Sequence, residues 1–483
     1  MIRKGKLLTK ENIVSREENE TKREIGMSES NYGKEEKKLS RRDFLRSSAS
    51  AGLGMALVGP VLAKTPAGRK IQEEKKPAEL NVAVIGTGVQ GRVLIESMLR
   101  VPDVRITAIC DIWEYSQQYA SRYLAKYGQE VNVYEDYSDL LGKEKNLDAA
   151  VVASPDWMHA EHANACMEAG LHVYCEKEMS NSLAKARTMV ETAKKTGKLL
   201  QIGHQRRSNP RYIHAIDKLI HEKKLLGRVN ALYAQWNSAK SDMLGWPERY
   251  TIPQATLSKY GYRSMTEFRN WRWFKKYGGG PLVDLGSHQI DLFGWVLGTN
   301  PKSVQASGGT DYYPDRELYD NAMTIYEFDT ESGPARAFYQ VQTTTKYGGF
   351  YEAFMGEDGS IVISEVPQRG DWAMREAHAP EWDSLVRDGL LKTEKPPLQK
   401  IDTKNIFLDV RVTAEAGRWP LPVELAKPAH QPHLENFFGA VLHGTPLNCP
   451  VEIGYESAVA VLKANEAVAN RRMMALRPQD FKA

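Results

Sequence analysis

Leu80-Asn81-Val82-Ala83-Val84-Ile85 is a short apolar run that leads without a spacer into Gly86-Thr87-Gly88-Val89-Gln90-Gly91. Behind the glycines, Val93, Leu94, Met98 and Leu99 recur at helical spacing. Strand, glycine turn and helix in that order form a cradle for a dinucleotide pyrophosphate. Gly86 permits the tight turn, Gly88 lets the backbone approach the phosphates, and Gly91 lets the helix lie close to the strand. The helix start at Val89 and Gln90 offers unpaired N–H groups to the anion. A second strand, Val104 to Cys110, ends in Asp111, 20 residues beyond Gly91. A carboxylate there accepts from the adenosine ribose 2′-hydroxyl and repels a 2′-phosphate, which favours NAD over NADP. A glycine turn without a cofactor is the competing reading, and the flanking strand, helix and acid weigh against it.

Helical patterns at 114–126, 157–169 and 182–197 alternate with strand-like runs at 148–153, 172–175 and 199–203. Such alternation predicts a doubly wound, mostly parallel sheet over about residues 79–205, with its ligand at the carboxyl ends of the strands.

The chain has 65 Lys+Arg against 61 Asp+Glu, but residues 1–63 hold 13 basic and nine acidic side chains, which leaves 52 of each sign in the remainder. A neutral body disfavours nucleic acid and anionic membrane as partners, because both are bound through clustered basic excess. No apolar run is long enough to span a bilayer. Cys110, Cys166, Cys175 and Cys449 have no metal-ligand or disulfide-framework spacing and read as free buried thiols, and no metal site is expected. His430 and His433, three apart, lack a carboxylate or cysteine partner in the sequence and read as capping or solvent-facing.

Further motifs stand at the predicted strand ends: Ser154-Pro155-Asp156-Trp157-Met158-His159 and Cys175-Glu176-Lys177-Glu178. A third is Gly278-Gly279-Gly280-Pro281-Leu282-Val283-Asp284-Leu285-Gly286-Ser287-His288-Gln289-Ile290-Asp291. Together with the glycine turn they resemble the Gfo/Idh/MocA oxidoreductase family, whose patterns here are Thr-Pro-Asn-x-x-His, Glu-Lys-Pro and Gly-Gly-Gly…Asp-x-Gly-x-His-x-x-Asp. Glu178 departs from the pattern, standing where the family has proline. The resemblance implies an N-terminal Rossmann domain followed, over 206–483, by an α/β domain built on a large open, mainly antiparallel sheet that mediates homo-oligomerisation. Strand-like runs at 229–236, 303–308, 323–328, 335–342, 351–355 and 360–364 agree with it, as do helical patterns at 211–223, 281–297, 431–442 and 454–470.

The resemblance also implies roles. Ser154, Pro155, His159, Glu176 and Lys177 would border the cofactor, with the glycine-turn residues and Asp111. Lys177 would hydrogen-bond the reacting hydroxyl, His288 would take its proton, and Asp284 would orient His288 or hold a neighbouring hydroxyl. Asp284 and His288, four apart, share one helix face; without the resemblance they read as an ordinary i,i+4 pair. Arg206 and Arg207, in His204-Gln205-Arg206-Arg207-Ser208-Asn209-Pro210-Arg211, fall where the family has Arg and Pro near the substrate, with surface charge as the alternative.

Four of the ten tryptophans, Trp236, Trp246, Trp271 and Trp273, fall within 38 residues, beside Tyr250, Tyr260, Tyr262 and Tyr277. The insertion at about 238–277 reads as a binding loop whose rings, Trp271 and Trp273 above all, stack on the C–H faces of a sugar; packing or an oligomer contact is the alternative. A second insertion, about 367–422, reads as decoration over the site or the oligomer edge.

The N-terminal residues form three segments. Residues 1–38 are polar and aperiodic, which predicts disorder. Residues 39–63 contain Ser40-Arg41-Arg42-Asp43-Phe44-Leu45-Arg46, a weak apolar stretch and Val61-Leu62-Ala63, and resemble a Tat signal peptide. Residues 64–78 read as a linker.

These readings predict an exported NAD-dependent oxidoreductase acting on a secondary hydroxyl or ketone of a sugar, sugar derivative or glycoside, with its cofactor tightly bound. An NAD-dependent glycosidase working by transient oxidation and elimination is the alternative. A non-catalytic sugar or dinucleotide sensor is disfavoured by the presence of Lys177, Asp284 and His288.

Overall fold

The computed structural model describes residues 79–395 and 417–483. The expected signal, linker and N-terminal extension lie outside them, as does part of the second insertion.

Strands β1 (Leu80–Ile85), β2 (Val104–Cys110), β3 (Asn132–Tyr134), β4 (Ala149–Val152), β5 (His172–Cys175) and β6 (Leu200–Ile202) pair in the order β3-β2-β1-β4-β5-β6, all parallel. The crossovers run through α1 (Val89–Met98), α2 (Glu114–Lys126), α3 (Tyr137–Lys143), α4 (Asp156–Glu168) and α5 (Leu183–Thr196). β4 is buried along its whole length and carries only Ala and Val, as expected for a strand covered on both faces. The glycine turn is held by two close approaches. A Cβ on Gly91 would sit 2.0 Å from the Gly86 carbonyl oxygen, and one on Gly86, at φ +90°, would meet the Ala153–Ser154 backbone at 2.6 Å.

Beyond β6, α6 (Pro210–Ile213) continues into a π-helical stretch, His214–Glu222. The second sheet comprises β7 (Val229–Asn237), β8 (Ser303–Gly309), β9 (Asn321–Thr330), β10 (Gly333–Gln342), β11 (Phe350–Gly356), β12 (Gly359–Ile363), β13 (Asp371–Arg375), β14 (Trp419–Pro420) and β15 (Met474–Ala475). Its order is β14-β13-β12-β11-β7-β10-β9-β8-β15. Among the described residues only the β7·β10 pairing is parallel, so the second domain is the mainly antiparallel open sheet the motifs implied. β9 alternates buried and exposed along its length, with Ala322, Tyr326 and Phe328 turned to the core.

The first insertion folds as α7 (Gln254–Lys259) and α8 (Met265–Arg269) with short 3₁₀ turns at Glu248–Tyr250 and Trp271–Trp273. A π turn, Leu282–Gly286, opens α9 (Ser287–Leu297). The described part of the second insertion holds β13, β14 and α10 (Asp383–Arg387), so it lengthens one edge of the sheet. α11 (Gln431–His443) and α12 (Val451–Asn470) complete the core; Leu434, Phe437 and Phe438 of α11 pack with β1 and α1 residues of the first domain. The four cysteines are free and buried, and burial pushes their thiols upward, so they are inert core side chains.

Candidate active site

A cleft of about 940 Å³ runs along the carboxyl ends of β1, β2, β4 and β5 and on beneath the second sheet. Gly86, Gly88, Val89, Gln90, Asp111, Ser154, Pro155, His159, Glu176, Lys177, Trp271, Asp284 and His288 all line it. The chain thus brings most of the sequence-predicted residues into one cavity.

The nucleotide end fits a dinucleotide. A Cβ on Gly88 would meet nothing within 4 Å, so the backbone there opens onto free space, and the first N–H groups of α1 have no intrahelical acceptor. Asp111 Oδ2 accepts from Thr87 N at 2.8 Å and Oδ1 from Trp113 N at 2.9 Å, which fixes the carboxylate at the tip of β2. Oδ2 also accepts from the Thr87 hydroxyl at 3.2 Å, so Oδ1 is the oxygen that retains acceptor capacity for a ribose hydroxyl. Glu176 Oε1 accepts from Gln90 Nε2 at 3.0 Å, tying the strand end after β5 to the glycine turn. His430, read from sequence as peripheral, lines the cleft with its Nε2 3.0 Å from the same Gln90 nitrogen.

The chemical end gathers charges from distant segments. Lys177 Nζ donates to the Asp284 carbonyl oxygen, and Arg272 Nε donates to Asp284 Oδ1 at 3.0 Å. Burial alone would raise the Asp284 carboxyl; the Arg272 and Lys177 charges hold it below the usual range. His288 is depressed well below an ordinary imidazole, by burial first and then by Lys177 and Arg206, so it is neutral and able to take a proton. Trp236 stacks over His288 with ring centroids 6.1 Å apart, and Phe350 backs Trp236 at 4.4 Å. The Lys177–Glu178 peptide is cis, with glutamate in the place of the motif proline.

Several expectations are corrected. Asp284 does not steer His288: its carboxylate is held by Arg272, and His288 Nδ1 is buried without a hydrogen-bond partner. Arg206 is 1% exposed and donates to Glu352 at 2.5 Å and Glu365 at 3.0 Å, so it is a core ion pair and not a substrate contact. Arg207 makes a bidentate pair with Asp291, away from the cleft. Trp273 does not line the cleft; Arg316 stacks over its ring at 3.7 Å. His159 lines the cleft, but its ring nitrogens sit 2.7 Å from the Glu178 carbonyl and 2.6 Å from that of Ser154, so the one N–H of its neutral ring goes to a backbone carbonyl and not to the cofactor.

Among the cleft residues to which the sequence reading gave no role, Asp156, Arg272 and Glu365 carry charge. Asp156 opens α4, where the family pattern has Asn; burial, then Asp284, raise its carboxyl to about 7. Arg272 arrives from the aromatic insertion and stacks on Trp271 at 4.3 Å. Glu365, from the loop after β12, accepts from Arg206. Only Asp156 carried a signal, an acid in place of the motif amide. Among the described residues no cluster of three or more His, Cys, Asp or Glu is placed to hold a metal ion.

Comparisons with known proteins give the family and the fold. Residues 80–204 match the profile described as "Oxidoreductase family, NAD-binding Rossmann fold", and residues 215–362 match the GFO/IDH/MocA C-terminal domain. The chain belongs to the GFO/IDH/MocA family of NAD-binding oxidoreductases. Among curated relatives, the inositol 2-dehydrogenase of Salmonella paratyphi B is 26% identical over 314 residues, covering 64% of this chain and 80% of the relative. The D-glucoside 3-dehydrogenase of Escherichia coli is 33% identical over 229 residues, 47% of this chain and 57% of the relative. Among solved structures, levoglucosan dehydrogenase in complex with NADH and L-sorbose superposes with TM-score 0.61 at 18% identity, covering 84% of this chain and all of the other. The WlbA dehydrogenase of Chromobacterium violaceum superposes with TM-score 0.60 at 18% identity, covering 84% and 99%.

Proposed function

We propose that this chain transfers hydride between NAD and a secondary hydroxyl or ketone of a sugar, sugar derivative or glycoside. The observation that carries the reading is that Lys177, Asp284 and His288 line the same cleft as the glycine turn and Asp111. NAD, when bound, supplies the hydride acceptor. Lys177 hydrogen-bonds the reacting oxygen and stabilises alkoxide charge, and neutral His288 takes the hydroxyl proton. Asp284, paired with Arg272, accepts from a neighbouring hydroxyl. Trp271 presents its ring to the sugar, and Trp236, held between His288 and Phe350, fixes the His288 ring. The curated relatives that act on an inositol and a D-glucoside support this substrate class.

The insertion also supports retention of the cofactor. It packs on first-domain rings around the adenosine end: Trp113 Nε1 donates to the Tyr250 carbonyl at 2.7 Å, and the Tyr260 hydroxyl donates to Glu135 at 2.9 Å. A strap of this kind slows dinucleotide exchange, so a bound cofactor must be reoxidised in place. That favours keeping a second reading, a glycosidase that oxidises the ring transiently, eliminates the aglycone and re-reduces the product. Export by the Tat route, read from Arg41-Arg42 and the segment after it, suits a protein that is loaded before translocation. Self-association through the outer face of the second sheet, where Phe338 stacks on Tyr233 at 5.5 Å beside Tyr351, completes the proposal.

Incubating the purified chain with 4-nitrophenyl glycosides and weighing the products separates the readings. A keto-glycoside with persistent NADH supports the dehydrogenase, and net hydrolysis without lasting NADH supports the glycosidase. No change in either nicotinamide or sugar across a panel that includes myo-inositol refutes both.

A further inference from the structure

His204 follows β6 and is 1% exposed, yet neither of its ring nitrogens has a hydrogen-bond partner. A buried imidazole with both nitrogens unpaired is costly unless water or proton transfer gives it a function. Its surroundings give it direction. On one side its ring meets His288 edge to face, with centroids 6.5 Å apart. On the other, Nδ1 lies 4.0 Å from Asp291 Oδ2, a spacing too long for a direct bond. Asp291 is fully buried, gripped by Arg207 and by the Ser457 hydroxyl.

Asp291, Arg207 and Ser457 line a second cavity of about 830 Å³, between α9, α12 and the C-terminal turn. His204 therefore stands between two cavities: His288 lines the first and Asp291 the second. His288 Nδ1, on the ring that His204 meets, is likewise buried and unpartnered. Once cofactor and substrate fill the cleft, the outer side of His288 is covered. A proton taken there then has an inward route, since imidazole can accept at one nitrogen and release from the other.

We propose that His204 is a proton-relay residue, which passes the proton collected by His288 through buried water to the Asp291 side and out by the second cavity. The inference rests on the dehydrogenase reading of the cleft. In the oxidation the substrate O–H bond breaks as a His288 N–H forms, while the C–H electron pair goes to NAD as hydride. A buried water between the two rings accepts the His288 Nδ1 proton as it gives one of its own to a ring nitrogen of His204, and His204 yields the proton on its other nitrogen toward Asp291 and solvent. Each histidine ends neutral, and one proton leaves per turnover. The groups facing His204 are Asp291 and His288 from α9, Arg206 and Arg207 from its own segment, Lys177 from the loop after β5, His433 from α11 and the Cys449 thiol, which meets the His204 backbone. Burial first, then Arg207, Lys177 and Arg206, push His204 down to about 4, against the pull of Asp291, so it holds a proton only briefly, as a relay must.

His204→Asn keeps the volume polar and removes titration. It is expected to lower the rate of bound-NADH formation by roughly tenfold to a hundredfold at neutral pH, with KM unchanged. The solvent isotope effect should rise, and added imidazole should restore part of the rate. Unchanged rate, pH profile and solvent isotope effect in a variant with normal dinucleotide content would overturn the proposal. A readout independent of turnover is histidine-selective ¹⁵N NMR of the substrate-free protein: His204→Asn should shift the His288 titration, and an unmoved titration counts against coupling. If the variant does not fold, wild-type His204 decides: its ring nitrogens must show exchange with buried water, and a persistently dry, slowly exchanging ring refutes the relay. Absence of any turnover in the wild type would instead count against the dehydrogenase reading and leave the NMR test standing.

Discussion

Arg272 Nε and Asp284 Oδ1 lie 3.0 Å apart, which ties the aromatic insertion to the acid at the start of α9. Both side chains keep part of their surface open to the cleft, 42% and 31% respectively, so the pair is reachable by substrate and by water. Arg272 thus sets the charge state of Asp284 and leaves His288 without a carboxylate partner.

Removing that guanidinium should be read in the acid limb of the pH profile. The Asp284 carboxyl is held down by Arg272, so Arg272→Gln must let it rise. Activity that requires the Asp284 carboxylate is then lost at a higher pH than in the wild type as pH falls. A pH–rate profile of Arg272→Gln whose acid limb coincides with that of the wild type contradicts the assignment.

Asp156 should make stability depend on pH in the opposite sense to an ordinary carboxylate. Its folded-state carboxyl is raised to about 7, by burial first and then by Asp284, so the folded state holds the proton more tightly than the unfolded chain. That stability is fully present below the unfolded value near 4 and is lost as pH rises through about 7. Asp156→Asn should remove the loss, an effect of at most about 4 kcal/mol. Urea titrations from pH 4 to pH 8 measure it; parallel pH curves for the two proteins would exclude it.

Arg206 is expected to fail as a binding residue and to matter for folding. Arg206→Met leaves Glu352 buried without its charge partner and should cost about 3 kcal/mol in chemical denaturation, with substrate KM little changed. Adding Glu352→Gln should recover part of the loss. A large KM effect with unchanged stability would restore the arginine to the substrate site.

Asp111 carries coenzyme choice. Asp111→Asn keeps an acceptor for Trp113 N or Thr87 N but removes the charge-assisted bonds, so NAD affinity should fall roughly tenfold to a hundredfold. Binding of NADP should improve relative to NAD because the repulsion is gone. Calorimetry with both dinucleotides checks the ratio, and an unaltered preference contradicts the role.

The Rossmann half was legible because its signals are local: the strand, glycine turn and helix lie within 19 residues, Leu80 to Met98, and the structure places them as read. Lys177, Asp284 and His288 were legible only through the family motifs, since their meeting depends on a contact across 107 residues. Arg206, Arg207 and Trp273 misled for the same physical reason. Their side chains are taken by Glu352, Asp291 and Arg316, partners fixed by tertiary packing and invisible to spacing. The aromatic insertion was half legible. Its density of rings marked it as special, but only some of them, Tyr260, Tyr262, Phe268 and Trp271, reach the cleft while packing with Trp113 and Trp157; Trp246, Tyr250, Trp273 and Tyr277 do not line it.

The most direct test of the account is stopped-flow reduction of the bound dinucleotide by a D-glucoside or by myo-inositol, comparing wild type with Lys177→Ala and His288→Ala. The account predicts a nicotinamide-reduction burst in the wild type and a loss of roughly a hundredfold or more in each variant, with dinucleotide content retained. A burst of equal rate in either variant would contradict it.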